Sequence, residues 1–239
     1  MTSTLIGTPV LLDGRHRDAG LSSHVDCPQK RDVDHPGPSL TTTRCRYSSG
    51  PVEASTRAGT VIIVEGQSDK VALETLARRR GLGLAGAGVE IMAIGGAHAI
   101  GRFVFALRRE RSEVVLRGLC DEHEEPDFRR ALERANLGRD LDRAALEGLG
   151  FHVCVADLED ELIRALGVEG VERVIAGQGE LPSLRRLQTQ PAQRGRSSIQ
   201  HLRRFISTRS GRKAQYARAL VLALDLDRMP RPLDAVLDW

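Results

Sequence analysis

Short apolar runs alternate with amphipathic helical stretches from about position 60 onward. The first run, Val61–Val64, is mostly β-branched and predicts a buried strand, and Lys70–Arg80 has the apolar period of a helix. Later runs at 89–94, 114–119 and 151–155 predict three more strands, with helical segments between them. Strands that alternate with helices form parallel sheets. We therefore expect an α/β fold with a parallel sheet of about four strands and helices on both faces.

The ends of the chain differ from this central part. Residues 1–58 hold five of the ten prolines and no sustained apolar period, which predicts a disordered tail. Residues 59–167 are the predicted sheet domain. Residues 168–239 have helical periods only, so we expect a basic helical C-terminal extension packed on that domain. Two prolines, Pro230 and Pro232, are expected to end its last helix.

Charge is distributed unevenly. Residues 181–224 contain ten Lys and Arg and no Asp or Glu, whereas the whole chain is only +3, so the remainder is acidic. Such a basic segment favours contacts with phosphates over a merely solvated helix face. Aromatic residues make up only 3% of the chain, so nucleic-acid binding would rest mainly on charge. The candidate nucleic-acid-binding residues are Arg194, Arg196, Arg203, Arg204, Arg209 and Arg212, with Arg185, Arg186 and Lys213 in the same segment.

The apolar content restricts the compartment. No apolar run is long enough to cross a bilayer, so no membrane partner is expected. The four cysteines have no metal-ligand spacing. Cys120 and Cys154 lie in strand-like runs and are predicted to be core thiols, as in a cytoplasmic protein.

Acidic residues recur where the predicted strands end. Glu65 and Asp69 follow the first strand, Asp121 follows the third, and Asp157 and Glu159 follow the fourth. The carboxyl ends of parallel strands share one edge of a sheet, so these side chains should converge. Converging carboxylates repel one another unless a cation neutralises them, and oxygen ligands suit Mg²⁺ or Mn²⁺. Two of these acids have a local alternative, since Asp69 and Asp157 also stand where they would cap a helix.

The order of these features resembles the Toprim domain of the overcoming-lysogenization-defect (OLD) nucleases. The resemblance covers about residues 60–225 and rests on Glu65-Gly66-Gln67-Ser68-Asp69, Gly95-Gly96, Gly118-Leu119-Cys120-Asp121, Asp157-Leu158-Glu159-Asp160-Glu161-Leu162 and Gly211-Arg212-Lys213. It implies a Toprim-like Rossmannoid sheet and metal-dependent hydrolysis of DNA. By this resemblance the metal ligands would be Glu65, Asp69, Asp121 and Glu159. Lys213 would join Glu65 and Asp121 as a catalytic residue and stabilise charge on the scissile phosphate.

Two features depart from the family pattern. The acidic pair after the third strand is usually Asp-x-Asp, but here His123 takes the second place, so Glu122, Glu124 or Glu125 would have to substitute. The chain also has no Gly-x-x-x-x-Gly-Lys-Ser/Thr loop. We therefore expect a standalone Toprim protein without ATP control of its own.

Three functions remain open at this point. The first is an Mg²⁺- or Mn²⁺-dependent endonuclease acting on DNA. The second, favoured by His123, is a non-catalytic nucleic-acid-binding or assembly module. The third is a ribonuclease or nucleotidyl transferase on the same fold. Nucleic acid is the expected partner in each case, and a separate ATPase subunit and a homodimer are the protein partners left open.

Overall fold

The computed structural model describes residues 59–111, 113–209 and 211–239, and the predicted tail at 1–58 lies outside the described residues. The strands are β1 (Thr60–Val64), β2 (Val89–Ala93), β3 (Val115–Asp121) and β4 (Phe151–Cys154). They form one sheet in the order β2-β1-β3-β4, and every neighbouring pair is parallel. The predicted parallel sheet is confirmed.

Strand β1 lies inside the sheet and is buried on both sides. Val61 and Ile63 face one side, Ile62 and Val64 face the other, and all four are fully buried. Successive side chains of a strand point to opposite faces, which is why a strand covered on both faces reads as an unbroken apolar run. Val64 is level with Ala93, the last residue of β2, and with Leu119, two residues before the end of β3, so the residue after it emerges at the carboxyl edge of the sheet.

Helices cover both faces of the sheet. One face packs against α2 (Ile100–Glu110), α3 (Glu125–Arg134) and α4 (Arg143–Gly148). The other packs against α1 (Gln67–Arg79) and α5 (Leu158–Leu166), whose buried side chains belong to the same cluster as Ile62 and Val64. The short helix α4 has no counterpart among the sequence predictions.

The C-terminal helices add to the cluster on the α1 face. They are α6 (Val168–Gly177), α7 (Leu181–Gln188), α8 (Ser198–Ile206), α9 (Arg212–Ala223) and α10 (Arg231–Val236). Helix α9 packs along α1, and Arg79 at the end of α1 donates hydrogen bonds to the carbonyls of Val221, at 2.6 Å, and Leu224. A cation at a helix C-terminus satisfies free carbonyls and suits the helix dipole. Arg79 thus fixes the far end of α9 to α1.

The two prolines predicted to end the last helix stand instead at the start of a further helix, α10, while α9 already ends at Ala223. Pro232 stands in the first turn of α10, where a proline lacks no hydrogen bond because those amides have no helical partner. At the other end, Arg117 of β3 donates to the carbonyls of Ala235 at 2.9 Å and Val236 at 3.2 Å. Leu233 is fully buried, so the helix is held against the sheet by apolar packing as well.

Two expectations from composition can be checked on the described residues. Cys120 and Cys154 are free thiols and are buried, as predicted. Among the described helices none combines the length and the apolar character that a membrane span requires.

Candidate active site

Glu65 is held at the carboxyl edge of the sheet by backbone bonds from two neighbouring segments. Its Oε1 accepts a hydrogen bond from the amide of Asp121 at 2.8 Å. Its own carbonyl accepts bonds from the amides of Gly95 at 2.9 Å and Gly96 at 3.0 Å. Both glycines have positive φ, 77° and 115°, which glycine adopts without a Cβ clash. The Gly-Gly turn after β2 therefore fixes the backbone of Glu65 in place.

Three carboxylates converge at this edge. Glu65, Asp121 and Glu124 each offer one oxygen, and these oxygens lie within 4.8 Å of one another. Glu124 Oε2 is buried and has no hydrogen-bond partner among the described residues. Such a donor set consists only of carboxylate oxygens, which is the ligand chemistry that Mg²⁺ and Mn²⁺ favour. The residues present therefore fit a divalent cation.

Of the acids near His123, Glu124 is the one that converges with Glu65 and Asp121. Glu122 and Glu125 both bind Arg143, at 3.1 Å and 2.6 Å, and neither belongs to the group of converging carboxylates. The side chain of His123 is exposed. Of the three substitutes that the sequence left open, Glu124 is therefore the one that faces the other carboxylates.

Asp69 and Glu159 lie in the first turns of α1 and α5, respectively. The N-cap of α1 is Gly66, whereas Asp69 lies in the first turn and accepts a bond from the Gly66 amide at 2.8 Å. Asp69 is thus not the N-cap residue, although its carboxylate does satisfy one free amide of that helix end. Glu159 is buried, and its Oε2 accepts a bond from the Lys213 ammonium at 3.1 Å. Its Oε1 has no partner in the part of the chain that the structure describes.

One cleft of about 420 Å³ collects these side chains. The predicted site residues that line it are Glu65, Asp69, Asp121, Glu159 and Lys213. All four acids predicted as metal ligands and the predicted catalytic lysine therefore line one cleft, but of these four acids only Glu65 and Asp121 belong to the group of converging carboxylates.

Three carboxyl groups in the cleft, those of Glu65, Asp69 and Asp121, have raised pKa values. Burial raises the pKa of Glu65 to about 9, with a hydrogen bond to Glu124 and the charge of Asp121 adding to the effect. Burial, then repulsion from Asp69, raises the pKa of Asp121 to about 7. Burial also raises the pKa of Asp69 to about 6, and the charge of Glu159 contributes. Acids with perturbed pKa values in a cleft are typical of functional sites, and a cation would relieve the same repulsion.

Comparison with known proteins identifies the domain. Residues 58–117 match the family model of the overcoming lysogenization defect protein-like TOPRIM domain. This segment of the chain is therefore similar to an OLD-like Toprim domain. The matched segment includes Glu65, Asp69 and the Gly95-Gly96 turn and ends within β3, before Asp121, Glu159 and Lys213. A comparison with curated proteins found no match.

Solved OLD structures share the fold of this Toprim domain and its helical extension. The C-terminal region of the Xanthomonas campestris pv. campestris OLD protein is 24% identical, with a TM-score of 0.55 over 76% of this chain and 93% of that chain. The C-terminal region of the Burkholderia pseudomallei OLD protein is 18% identical, with a TM-score of 0.59 over 76% of this chain and 96% of that chain. The parallel sheet with its helices therefore has the architecture of OLD C-terminal regions.

Lys213 lies in the first turn of α9 and lines the acidic cleft described above, which we call the Toprim cleft. Burial disfavours its ammonium form, but the facing carboxylate of Glu159 outweighs that effect, so the pKa of Lys213 is raised. The preceding residue, Arg212, is buried and donates to the Phe205 carbonyl at 3.0 Å and to Glu180 at 2.7 Å. Its guanidinium also lies 4.2 Å from the centre of the Phe205 ring. These bonds anchor the start of α9 and with it the position of Lys213.

The predicted phosphate-binding arginines separate into paired and free groups. The prediction that Arg212 binds nucleic acid is wrong, because its guanidinium is buried and paired and is not accessible to a nucleic acid. Arg203 binds Asp157, which caps α5 as predicted by accepting from the Asp160 amide at 2.8 Å. Arg209 is largely exposed and lies 4.0 Å from Glu180. Of the six main candidates, the exposed arginines that form no ion pair within the described ranges are Arg194, Arg196 and Arg204. Arg186 is also exposed and has no ion pair there, whereas Arg185 binds Glu172.

Proposed function

We propose that this protein is a metal-dependent nuclease that hydrolyses phosphodiester bonds of DNA in the Toprim cleft. The observation that carries the proposal is the convergence of Glu65, Asp121 and Glu124 beside a cleft that also holds a lysine. Two further observations support the same function. The raised pKa values of Glu65 and Asp121 and the match to the OLD-like Toprim family point to the same function.

The residues have distinct roles in this proposal. Glu65, Asp121 and Glu124 would hold Mg²⁺ or Mn²⁺, with Asp69 and Glu159 beside them for a further ligand or an ordered water. A bound divalent cation would supply Lewis-acid polarisation of the phosphate and activation of water near neutral pH.

The basic residues have the task of binding the substrate. Lys213 would contact an oxygen of the scissile phosphate and stabilise the charge that grows there. Its ion pair with Glu159 keeps it charged and directed into the cleft. Arg194, Arg196 and Arg204 would bind the backbone on either side of the scissile bond without reading its sequence.

A plasmid assay tests this function. Supercoiled plasmid is incubated with purified protein in Mn²⁺, Mg²⁺ or EDTA, and nicked and linear products are measured. Glu65→Gln and Glu124→Gln should abolish cleavage, because they keep side-chain size but remove the charge that a hard cation requires. Glu122→Gln is the matched control, since Glu122 lies two residues from Glu124 but binds Arg143 instead.

Two results would contradict the proposal. Undiminished metal-dependent cleavage by Glu65→Gln would place the chemistry outside this cleft. A wild-type protein that binds DNA and is inactive in every metal would favour the binding or assembly module. The main reason for that alternative is that His123 replaces the second acid of the family's Asp-x-Asp pair. Glu124, the next residue, converges with Glu65 and Asp121, so this reason carries less weight. RNA and nucleotide substrates in the same assay separate a ribonuclease or nucleotidyl transferase from a DNA nuclease.

Location and protein partners extend the proposal. We place the nuclease in the cytoplasm, where its buried free thiols would stay reduced. Sedimentation of the purified protein tests the homodimer, and cleavage with and without an added ATPase subunit and ATP tests that partner.

A further inference from the structure

A second groove, also of about 420 Å³, lies between α2 and α3. Phe105 of α2 lines it and has 65% of its surface exposed, the largest value among the big apolar side chains of the described residues. A single exposed apolar residue is ordinary and needs no explanation by itself. The residues around Phe105 therefore decide whether the exposed ring marks a binding site.

The groove is basic as well as apolar. Arg102 of α2 and Arg134 of α3 line it together with Phe105. Both arginines are exposed, and neither forms an ion pair with any residue that the structure describes. The described residues that line the groove include no carboxylate. By contrast, Arg130, also on α3, is paired with Asp127. The groove thus presents an aromatic ring beside two uncompensated positive charges.

The groove begins next to the Toprim cleft. His98 lines the groove and stands two positions after Gly96, which lines the cleft. His98 Nδ1 lies 3.0 Å from Asp127 Oδ2, so the segment before α2 is tied to α3 at this end of the groove. A nucleic-acid strand that leaves the cleft over the Gly95-Gly96 turn would therefore enter the groove directly.

We propose that this groove binds an unpaired nucleotide of the substrate, with the base stacked on Phe105 and the adjoining phosphates on Arg102 and Arg134. The inference rests on the proposed function for the class of ligand, a nucleic acid. A base has a flat apolar face and a phosphate on each side, which matches a ring flanked by two arginines. An apolar peptide would bury the ring but would leave both guanidinium groups desolvated and unpaired.

Binding without catalysis tests the proposal. Fluorescence anisotropy with a labelled single-stranded oligonucleotide, and with a blunt duplex of the same sequence, is measured in EDTA so that no metal-dependent cleavage occurs. Phe105→Ala should weaken single-strand binding about tenfold and leave duplex binding unchanged. Phe105→Tyr keeps an aromatic ring and should bind as the wild type does. The matched control is Leu222→Ala, which removes an exposed apolar side chain from α9.

The salt dependence separates stacking from charge. Phe105→Ala should lower single-strand affinity at every salt concentration without changing the slope of log K against log salt. The double variant Arg102→Ala/Arg134→Ala should reduce the magnitude of that slope by about 0.7 for each phosphate that the protein no longer neutralises.

Either of two results would overturn the inference. Phe105→Ala could bind single strands as tightly as Leu222→Ala does, or it could lose duplex and single-strand affinity equally, which would mean that no unpaired base sits on the ring. Nuclease activity does not enter either measurement. The binding test of the groove can therefore give a negative result while the plasmid is cleaved. It can also give a positive result for a protein that cleaves no plasmid.

Discussion

Replacing Glu65 by Gln should stabilise the metal-free protein at neutral pH, although it removes a residue from the proposed active site. Burial and the neighbouring carboxyl groups raise the pKa of Glu65 from 4.5 to about 9. A carboxyl group whose pKa is raised on folding stabilises the fold fully below its unfolded pKa, and this contribution is lost as the pH rises through the folded pKa. The metal-free wild type should therefore lose stability between about pH 4.5 and pH 9. Glutamine keeps the acceptor for the Asp121 amide and does not titrate.

The size of the effect follows from the same linkage. Each pH unit within this window changes the free energy of unfolding by at most about 1.4 kcal/mol, so the interval from about pH 5 to about pH 7.5 gives a ceiling of about 3.5 kcal/mol. The cleft is open to water, which screens these charges and reduces the expected difference to about 1–2 kcal/mol. For a protein of this size that corresponds to a melting temperature about 3–6 °C above wild type at about pH 7.5. Near pH 5 the two proteins should melt at nearly the same temperature.

Thermal melts followed by circular dichroism, from about pH 5 to about pH 8.5 in EDTA, measure this difference. Glu122→Gln is the control, because Glu122 is exposed and its carboxylate binds Arg143 outside the cleft. Mn²⁺ at about one hundred times its dissociation constant should then stabilise the wild type by about 2.7 kcal/mol and leave Glu65→Gln unchanged. A Glu65→Gln protein that melts below wild type at about pH 7.5 in EDTA would refute this linkage. Equal stabilisation of both proteins by Mn²⁺ would refute the role of Glu65 as a ligand.

Three further substitutions test particular residues. Lys213→Ala should lower single-turnover cleavage by about 100-fold, and anisotropy should show DNA affinity changed far less, because the lysine acts on charge that develops during the reaction. Arg212→Ala should lower the free energy of unfolding in urea by about 3 kcal/mol, since it removes a buried guanidinium that binds both the Phe205 carbonyl and Glu180, and a large loss of DNA affinity in the folded variant would contradict this structural role. Gly118→Ala should lower the free energy of unfolding by about 1–3 kcal/mol, because the added Cβ would lie 2.5 Å from the Phe151 ring; melting at the wild-type temperature would show that the ring moves aside freely.

The sheet could be predicted because its signal is local. Val61–Val64 is buried on both faces, and such a strand has an unbroken apolar run whatever surrounds it. The edge at which Glu65 and Asp121 meet follows from the parallel order of strands alone. The positions of these acids therefore need no knowledge of side-chain packing.

Side-chain direction cannot be predicted in the same way. Three glutamates follow β3 in close succession, and the choice of Glu124 depends on Arg143, which binds Glu122 and Glu125. Arg143 lies on α4, a helix too short to give a clear period. Arg212 counts among the predicted phosphate-binding residues for a similar reason, since its partner Glu180 is 32 positions earlier in the chain. A count of charges along a sequence segment cannot show that an arginine is paired with an acid so far away in the chain.

The packing of α9 on α1 has a consequence for how the protein is made. Glu65, Asp69, Asp121 and Glu159 all precede α9 in the chain, whereas the lysine that faces them arrives with it. Arg79 can bind the carbonyls at the far end of α9 only after Val221 and Leu224 have left the ribosome. A growing polypeptide therefore has its acidic residues early but acquires its lysine late. The cleft of this fold is therefore completed only when the last long helix has been synthesised and has packed on α1.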